Sequence, residues 1–350
     1  MQHGISTEQG GGTGVSNERV QLAHGSGGKL SHDLIKDVMW PAFANEILGE
    51  MNDGAQLHIS GCRLAFSTDS YVVKPLFFPG GDIGKLAVCG TVNDVAMNGA
   101  LPLYLSAGFV LEEGFPIADL QRIVASMQQS AKEAGVHIVT GDTKVVEKGA
   151  VDGIYINTAG IGKIMDGIHI SGKNALPGQN IILSGYLGEH SLAVMGERHG
   201  LQFPQSVRSD CAPLNGLVEA MLTVVPKVAV LRDPTRGGLA TTLNEIALQS
   251  GVGIMLEETH IPISSAVQAA CDILGFDPLY LANEGKMIVF VEPESTNQVL
   301  DIMQQHVYGS EARVIGTVVK EPRGQVGLRT RIGGVRLLDM LVGDQLPRIC

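Results

Sequence analysis

The sequence of 350 residues contains few aromatic residues and few cysteines. Phenylalanine, tryptophan and tyrosine make up only 5% of the chain, so the hydrophobic core must be built mainly from aliphatic side chains. The five cysteines are widely spaced and form no C-x-x-C pair, which argues against a disulfide framework and a zinc ribbon and favours a reducing cytoplasm. Four of the five lie among apolar neighbours and are expected to be buried thiols, whereas the fifth, Cys350, ends the sequence.

Long hydrophobic runs and positive charge are also scarce. No run of eighteen apolar residues occurs, so no membrane span is predicted, and residues 1–17 lack the apolar stretch of a secretory signal. The chain has 25 Lys and Arg against 36 Asp and Glu, a net charge of −11. An acidic chain offers no broad basic field, which argues against binding to nucleic acid or to an anionic membrane surface.

Glycine, in contrast, is abundant. The chain has 45 glycines, nearly twice the usual share of about 7%, and they show no collagen period. Many positions must therefore need either the special backbone angles of glycine or a close approach of another group to the backbone. A hydrophobic content of 44% and a charged content of 17% predict a folded protein with a large core.

The length and the order of the patterns predict two domains of the α+β class. Strand and helix patterns intermingle in both halves without a steady βαβ rhythm. They include a helix that follows Ser31 as its N-cap and a short strand over 136–139. The best boundary is the polar loop over 167–178. We therefore expect a flexible extension over 1–19, a first domain over 20–170, a second over 171–340, and a flexible tail over 341–350 that carries Cys350.

Four aspartates stand at junctions beside small or polar residues, next to apolar elements: Asp69, Asp94, Asp142 and Asp233. A carboxylate buried there needs a partner, and Mg²⁺ bridged to phosphates would provide one, because Mg²⁺ takes oxygen ligands from a few carboxylates and from its substrate. The alternative for any single aspartate is a helix cap or a turn. The usual dinucleotide fingerprint G-x-G-x-x-G is absent.

Further candidate residues lie in glycine-containing segments. The segment His24, Gly25, Ser26, Gly27, Gly28, Lys29 can form a concave array of amides that binds phosphate, although a flexible hinge is an equal alternative. Lys85 lies near a helix N-terminus that favours phosphate, but it is also explained as a solvated lysine. Glu284, in the string Asn283-Glu284-Gly285-Lys286, is either a carboxylate placed in a cleft or part of an ordinary β-turn.

Taken together, these strings resemble the PurM-like ATP-binding superfamily, and within it the branch that matures [NiFe] hydrogenases. The resemblance covers about residues 20–350 and is carried by the following strings: Leu22 to Gly28, Phe66 to Ser70, Phe77 to Leu86, Asn93 to Ala96, Thr140 to Val146, Asp233 to Gly238, Asn283 to Lys286, and Pro347 to Cys350. The terminal tetrapeptide is the most specific of them. The resemblance implies a two-domain fold, with an N-terminal α/β domain and a C-terminal α+β domain, in which two chains pair through N-terminal strands into a shared barrel.

The resemblance also implies a reaction, cofactors and partners. A HypF-type carbamoyltransferase would carbamoylate Cys350, and ATP would drive dehydration of this S-carboxamide to an S-cyanate, whose cyanide passes to iron on a HypC–HypD complex. The implied nucleotide contacts are His24 to Gly28, Asp69, Lys85, Asn93, Asp94 and Asp142. The implied Mg²⁺ ligands are Asp69, Asp94, Asp142 and Asp233. Lys144 and Glu284 are the candidates for proton transfer and substrate orientation. Two alternatives stay open, a related ATP-dependent enzyme with a free small substrate and a non-catalytic maturation scaffold.

Overall fold

The computed structural model describes residues 19–25, 28–204 and 206–341. A largely exposed helical segment precedes the first sheet: α1 (Lys29–Leu34) continues through a π-helical turn (Ile35–Met39) into α2 (Trp40–Phe43). Ser31 was expected to cap this helix, and that is wrong, because the helix begins after Gly28 and Ser31 lies inside it. The Ser31 hydroxyl instead donates a hydrogen bond of 2.6 Å to the carbonyl of His24.

The rest of the N-terminal half is built on a sheet that is covered on one face. In chain order its elements are β1 (Ala55–Ile59), β2 (Cys62–Tyr71), β3 (Phe77–Phe78), β4 (Gly81–Asp82), α3 (Ile83–Met97), β5 (Ala100–Glu112), α4 (Ile117–Ala134), β6 (His137–Val146) and β7 (Ile154–Ile164). Within the described residues, the sheet has five strands in the order β1-β2-β7-β5-β6. Only the β5–β6 pair is parallel.

Two expectations about this sheet are corrected by the structure. The strand that the sequence placed over 136–139 extends to Val146, because β6 pairs with β5 as far as Glu112. Cys62 is exposed rather than buried, since it begins β2 directly after the turn at Ser60 and Gly61.

The helix α3 is the central packing element of this half. Almost all of its residues are buried, and it packs against β2 and β7. A side chain at Gly90 would place its Cβ 2.3 Å from the hydroxyl oxygen of Tyr71, so the close approach of helix and sheet requires glycine there. Thr158 on β7 donates a hydrogen bond of 2.7 Å to the carbonyl of Ala87. These contacts fix α3 over the face of β2 that carries Tyr71.

The C-terminal half is a second layered structure of helices and a mixed sheet. Its elements are β8 (Asn180–Leu183), α5 (Glu189–His199), α6 (Asn215–Val224), β9 (Val228–Arg232), α7 (Gly238–Ser250), β10 (Gly253–Glu257), α8 (Ser265–Leu274), β11 (Ile288–Val291), α9 (Pro293–Gln305), β12 (Arg313–Val319), β13 (Val326–Arg329) and β14 (Val335–Leu338). In the described part of the chain this sheet has seven strands, ordered β14-β13-β10-β12-β8-β11-β9. Helices and strands intermingle in both halves, which confirms the α+β class. The loop proposed as the domain boundary lies between β7 and β8.

Several polar contacts join the two halves. The side chain of Asn93 on α3 donates to the carbonyl of Ala212 at 3.1 Å and accepts the amide of Leu214 at 2.7 Å. Arg232 at the end of β9 donates to the carbonyl of Met51, before β1, at 2.7 Å. None of the helices in the described ranges combines the length and the apolar character that a bilayer span requires.

Candidate functional site

Three of the predicted aspartates converge where the two halves meet. Asp69 lies near the end of β2, Asp94 lies on the last turns of α3, and Asp233 directly follows β9. The charges of Asp233 and Asp69 both act on Asp94, and Asp69 also acts on Asp233. The packing of α3 on β2 and the docking of β9 against α3 bring these three carboxyl groups together. They form what we call the acidic cluster, together with Asp53 and Glu284.

Burial makes three carboxyl groups of the acidic cluster, those of Asp94, Asp233 and Glu284, reluctant to ionise. Desolvation is the main cause that raises the pKa of Asp94 and of Asp233 well above the usual range, and neighbouring carboxylates add to the effect. Desolvation, with Asp233 and Asp69 next in importance, does the same to the pKa of Glu284. Carboxyl groups that repel one another in this way favour the binding of a cation, because its positive charge relieves the repulsion.

The sequence did not reveal Asp53, whose side chain is only 12% exposed. Its carboxylate forms an ion pair with Arg232, and Arg232 also donates to the carbonyl of Met51 at 2.7 Å. Ser67 connects this pair to the cluster, because its hydroxyl contacts the carbonyl oxygen of Asp53 at 3.1 Å and a carboxylate oxygen of Asp94 at 2.7 Å. One signal was available in retrospect, the position of Asp53 in an Asn-Asp-Gly turn directly before β1.

A cationic group, Arg236, borders the cluster. Arg236, in the loop that leads into α7, lies 3.6 Å from Asp69, and its charge lowers the pKa of Glu284 against the stronger raising causes. Gly237 and Gly238, which follow it, have positive φ angles of 79° and 64°. A Cβ on Gly238 would stand 2.6 Å from the carbonyl oxygen of Leu279, so this turn requires glycine.

The turn that carries Glu284 is held tightly. Asn283 accepts the amide of Gly188 at 2.8 Å and donates to the carbonyl of Pro234 at 3.1 Å. Glu284 is 4% exposed, and its Oε1 atom accepts no hydrogen bond from any described residue. Asn93, a predicted nucleotide contact, is 1% exposed and its amide is used by backbone groups, including the carbonyl of Glu284 at 3.4 Å.

Asp142 and Lys144 lie apart from the acidic cluster, on the other face of the five-stranded sheet. Register pairs Ser70 with Asn157, Asn157 with Gly108, and Gly108 with Asp142, so these residues form one row across the sheet. Because neighbouring residues of a strand point to opposite faces, that row faces away from α3 and from Asp69. Asp142 and Lys144 form an exposed ion pair, and hydrogen bonds from Lys144 and from the amide of Thr143 lower the pKa of Asp142. They line a pocket of about 330 Å³ on this outer face.

Lys85 also points away from the acidic cluster. It lies in the first turn of α3, about 14 Å along the helix axis from Asp94, and donates to the carbonyl of Gly80 at 3.3 Å. Asp82 already caps this turn by accepting the amides of Gly84 and Lys85 at 2.7 and 3.1 Å. The Lys85 side chain lines a separate pocket of about 440 Å³.

The glycine-rich segment after Leu22 contacts the last described residue of the chain. The amide of Lys29 donates to the carbonyl of Leu341 at 2.9 Å, and a Cβ on Gly28 would stand 2.2 Å from that oxygen. The amide of Leu341 donates in turn to the hydroxyl of Thr241 in α7 at 3.3 Å. His24 and Gly25 form a short 3₁₀ turn just before this contact. Ser26, Gly27 and Cys350 lie outside the described residues.

The donor set of the acidic cluster suits a hard divalent cation. Carboxylate oxygens are the ligands that Mg²⁺ prefers, and Asp53 Oδ2, in the same cluster, is a buried atom without a hydrogen-bond partner among the described residues. Across residues 19–25, 28–204 and 206–341, no three Asp, Glu, His or Cys side chains converge closely enough to hold a metal ion by themselves. A cation bound here therefore needs further oxygen ligands, from water or from a bound phosphate.

The fold and this site define a class of protein. Residues 51–164 match the N-terminal domain, and residues 177–329 the C-terminal domain, of the AIR synthase related proteins, and the chain belongs to this family. A thiamine monophosphate kinase from Aquifex aeolicus, 16% identical over 89% of this chain and 99% of its own, has the same fold with a TM-score of 0.64.

Within that family the chain belongs to the carbamoyl dehydratase HypE group. It is 54% identical over 337 residues to carbamoyl dehydratase HypE of Cupriavidus necator, covering 96% of each chain. It is 47% identical over 336 residues to carbamoyl dehydratase HypE of Escherichia coli, covering 95% of this chain and 99% of that one. A solved HypE in complex with ATP is 52% identical, with a TM-score of 0.81 over 94% of this chain and 99% of that one. HypE in a HypE–HypF complex is also 52% identical, with a TM-score of 0.84 over 88% and 99%.

Proposed function

We propose that this chain is an ATP-dependent carbamoyl dehydratase that converts an S-carboxamide on its own Cys350 to an S-cyanate. The observation that carries this proposal is the position of Leu341, which is bound between Lys29 and Thr241 at the start of α7, next to the loop of Arg236. Cys350 follows nine positions later, and an extended chain of that length reaches about 30 Å. The acidic cluster therefore lies within reach of the cysteine.

The chemistry requires a poor leaving group to be made a good one. The γ-phosphoryl group of ATP is transferred to the carboxamide oxygen, and the C–O bond then breaks to release phosphate. Both amide protons leave with it, and a neutral C≡N group remains on sulfur. The product carries no developing oxyanion, so the protein has mainly to position the phosphates and neutralise their charge, and to accept protons.

The residues can be given roles in this reaction. Glu284 is buried, one of its carboxylate oxygens has no hydrogen-bond partner among the described residues, and its pKa is raised, which suits a group that accepts a proton from the carboxamide. Arg236, beside Asp69, is placed to meet phosphate oxygens. Asp69, Asp94 and Asp233 are the ligands we propose for Mg²⁺, which when bound screens the charge of the transferred phosphoryl group.

We further propose that two copies of the chain pair through the outer face and edge of the five-stranded sheet. Every residue of the edge strand β6 up to Val145 is exposed, and Phe66, Tyr104 and Val139 are large apolar residues that are 43%, 50% and 59% exposed. Such a surface favours burial against another protein. Pairing would also bring the outward-facing Lys144 against the second copy.

A mixing experiment tests this arrangement. If Lys144 acts on the site of the second copy, then Lys144→Ala and Glu284→Gln proteins are each inactive, but a mixture allowed to exchange subunits regains activity, because one site of each mixed dimer has both residues. If Lys144 acts within its own chain, every site of the mixture lacks one of the two residues. A mixture that stays inactive would contradict the proposal.

The solved relatives support a nucleotide and a partner for this chain. We propose ATP as the nucleotide, since a relative was solved with ATP, and a HypF-type carbamoyltransferase as the source of the carboxamide, since another was solved with HypF. Transfer of the cyanide to iron on a HypC–HypD complex, in the cytoplasm, completes the proposal.

The intact mass of the C-terminal peptide provides the direct test. After carbamoylation by the partner and addition of ATP, the peptide should lose the mass of one water, and removal of Cys350 should abolish turnover. An enzyme acting on a free small molecule would keep its turnover without Cys350. A non-catalytic scaffold would release no additional ADP after carbamoylation. A peptide whose mass does not change after carbamoylation and addition of ATP would contradict the proposed function.

A further inference from the structure

The turn that carries Glu284 is fastened to a loop of the same half. Asp210 accepts the backbone amide of Glu284 through its Oδ1 atom at 3.0 Å. The amide of Ala212 donates to the carbonyl of Glu284 at 3.4 Å, so the loop binds both sides of this residue. A Cβ on Gly285 would stand 1.8 Å from the carbonyl oxygen of Asp210, which shows how closely the two segments approach.

The second carboxylate oxygen of Asp210 faces Lys286. The ammonium nitrogen of Lys286 lies 3.2 Å from Asp210 Oδ2, and the two side chains are 12% and 1% exposed. A buried ion pair of this kind adds little net stability compared with apolar side chains, because both charges lose their hydration. The carboxylate of Asp210 also raises the pKa of Glu284, as an added charge beside a buried acid must. The net stability that the ion pair contributes therefore does not explain why Asp210 and Lys286 are buried beside Glu284.

The loop is itself tied to the N-terminal half. The amide of Ser209 donates to the carbonyl of Pro79 at 2.8 Å, and Asn93 binds the backbone of Ala212 and of Leu214. The position of Glu284 thus depends on how the halves are docked, through Asp210. The pair lines the pocket of about 440 Å³, which the aspartates of the acidic cluster do not line.

We infer that Asp210 and Lys286 are a positioning pair that fixes the carboxylate of Glu284 for proton transfer, while neither residue contacts the nucleotide. This inference rests on the proposed function, in which Glu284 accepts a proton from the carboxamide. Lys286 holds the Asp210 carboxylate in place, and Asp210 holds the Glu284 amide. Small displacements of a reacting group are costly, because a shift of about 1 Å can lower a rate by about 100-fold.

Two double variants separate the hydrogen bond from the charge. Asp210→Asn/Lys286→Met removes both charges but keeps a side-chain oxygen that can accept the Glu284 amide. Asp210→Ala/Lys286→Met removes the same charges and the oxygen. Glu311→Gln is the matched control, because Glu311 lines the same pocket and pairs with Arg313 at the surface without contacting Glu284.

The measurement is the single-turnover rate of water loss from the carbamoylated chain, as a function of ATP concentration, with thermal melting as the check on folding. We expect the alanine double variant to turn over about 10- to 100-fold more slowly at saturating ATP. Its half-saturating ATP concentration should not change. The asparagine double variant keeps the accepting oxygen but loses the ion pair that holds it, so it should be slowed less than the alanine double variant, and Glu311→Gln should stay within a few-fold of the unaltered chain.

Other results would overturn the inference. An alanine double variant that turns over at the unaltered rate would show that Asp210 does not position Glu284. Equal losses in both double variants, with weaker ATP binding, would indicate a general structural role instead. If Glu284→Gln stays active, Glu284 is not the base and the inference falls while dehydration stands. If the unaltered chain loses no water, the proposed function fails first and the inference fails with it.

Discussion

The buried pair of Arg232 and Asp53 makes a quantitative prediction about what holds the acidic cluster together. Their side chains are 8% and 12% exposed, and Arg232 also binds the carbonyl of Met51 at 2.7 Å. Arg232→Met keeps most of the side-chain volume but leaves the Asp53 carboxylate beside Asp94 and Asp233 without its cation. Removing one partner of a buried pair typically costs about 3–5 kcal/mol, so we expect a loss of that size in the free energy of unfolding.

The companion variants decide whether the pair or the arginine alone is responsible. Asp53→Asn also breaks the pair, but it removes one negative charge from the cluster and should cost less. In Asp53→Asn/Arg232→Met neither charge remains buried alone, so the double variant should cost about 2 kcal/mol less than the two single costs together. The assay is equilibrium urea unfolding of all four proteins under one condition.

A surface pair provides the control for this cycle. Arg323 and Glu321 lie 3.2 Å apart with side chains 64% and 63% exposed, and such pairs contribute about 0.2–1 kcal/mol. The coupling measured with Glu321→Gln and Arg323→Met should therefore be much smaller. If the costs of the Arg232 and Asp53 variants add to within about 0.5 kcal/mol, the two residues are not coupled and the reasoning about the cluster is wrong.

Three other predictions follow from the site. Burial raises the folded pKa of Glu284, so the stability it contributes is complete below its unfolded pKa and is lost as the pH rises through the folded value. Glu284→Gln should therefore be more stable than the unaltered chain at pH 8 but not at pH 4, as urea unfolding would measure. Gly28→Ala pushes a Cβ into the carbonyl of Leu341, whereas Gly25→Ala meets no atom within 4 Å. The first variant should slow dehydration about 10-fold and the second less, and equal rates would contradict the role given to the Leu341 contact. Removing divalent cations with a chelator should abolish the rise in melting temperature on adding ATP, and an undiminished rise would argue against Mg²⁺ between phosphate and the acidic cluster.

The sequence allowed the fold class and part of the acidic cluster to be predicted, because those features leave local signals. Asp69, Asp94 and Asp233 each stand where an apolar element meets polar residues, and the structure brings these three together. The contact of Arg232 with Asp53 could not be predicted in this way, because the two residues are 179 positions apart and the sequence around Asp53 is typical of a turn. The full length of β6 was also hidden, because an edge strand exposed along its length shows no alternation of apolar and polar residues.

The faces of the five-stranded sheet could not be assigned from the sequence either, and they matter most for the mechanism. Whether Asp142 shares a face with Asp69 depends on strand register, and the row that contains Asp142 passes through Ser70, the neighbour of Asp69. A single residue of register separates one arrangement from the other. The motif strings alone grouped Asp142 with Asp69, Asp94 and Asp233 as ligands of one metal site. The register instead separates Asp142 and Lys144 from the acidic cluster by the thickness of the sheet. For both sets of residues to act in one reaction, the outer face must meet a second surface, and a second copy of the chain, carrying its own acidic cluster, is the surface we propose.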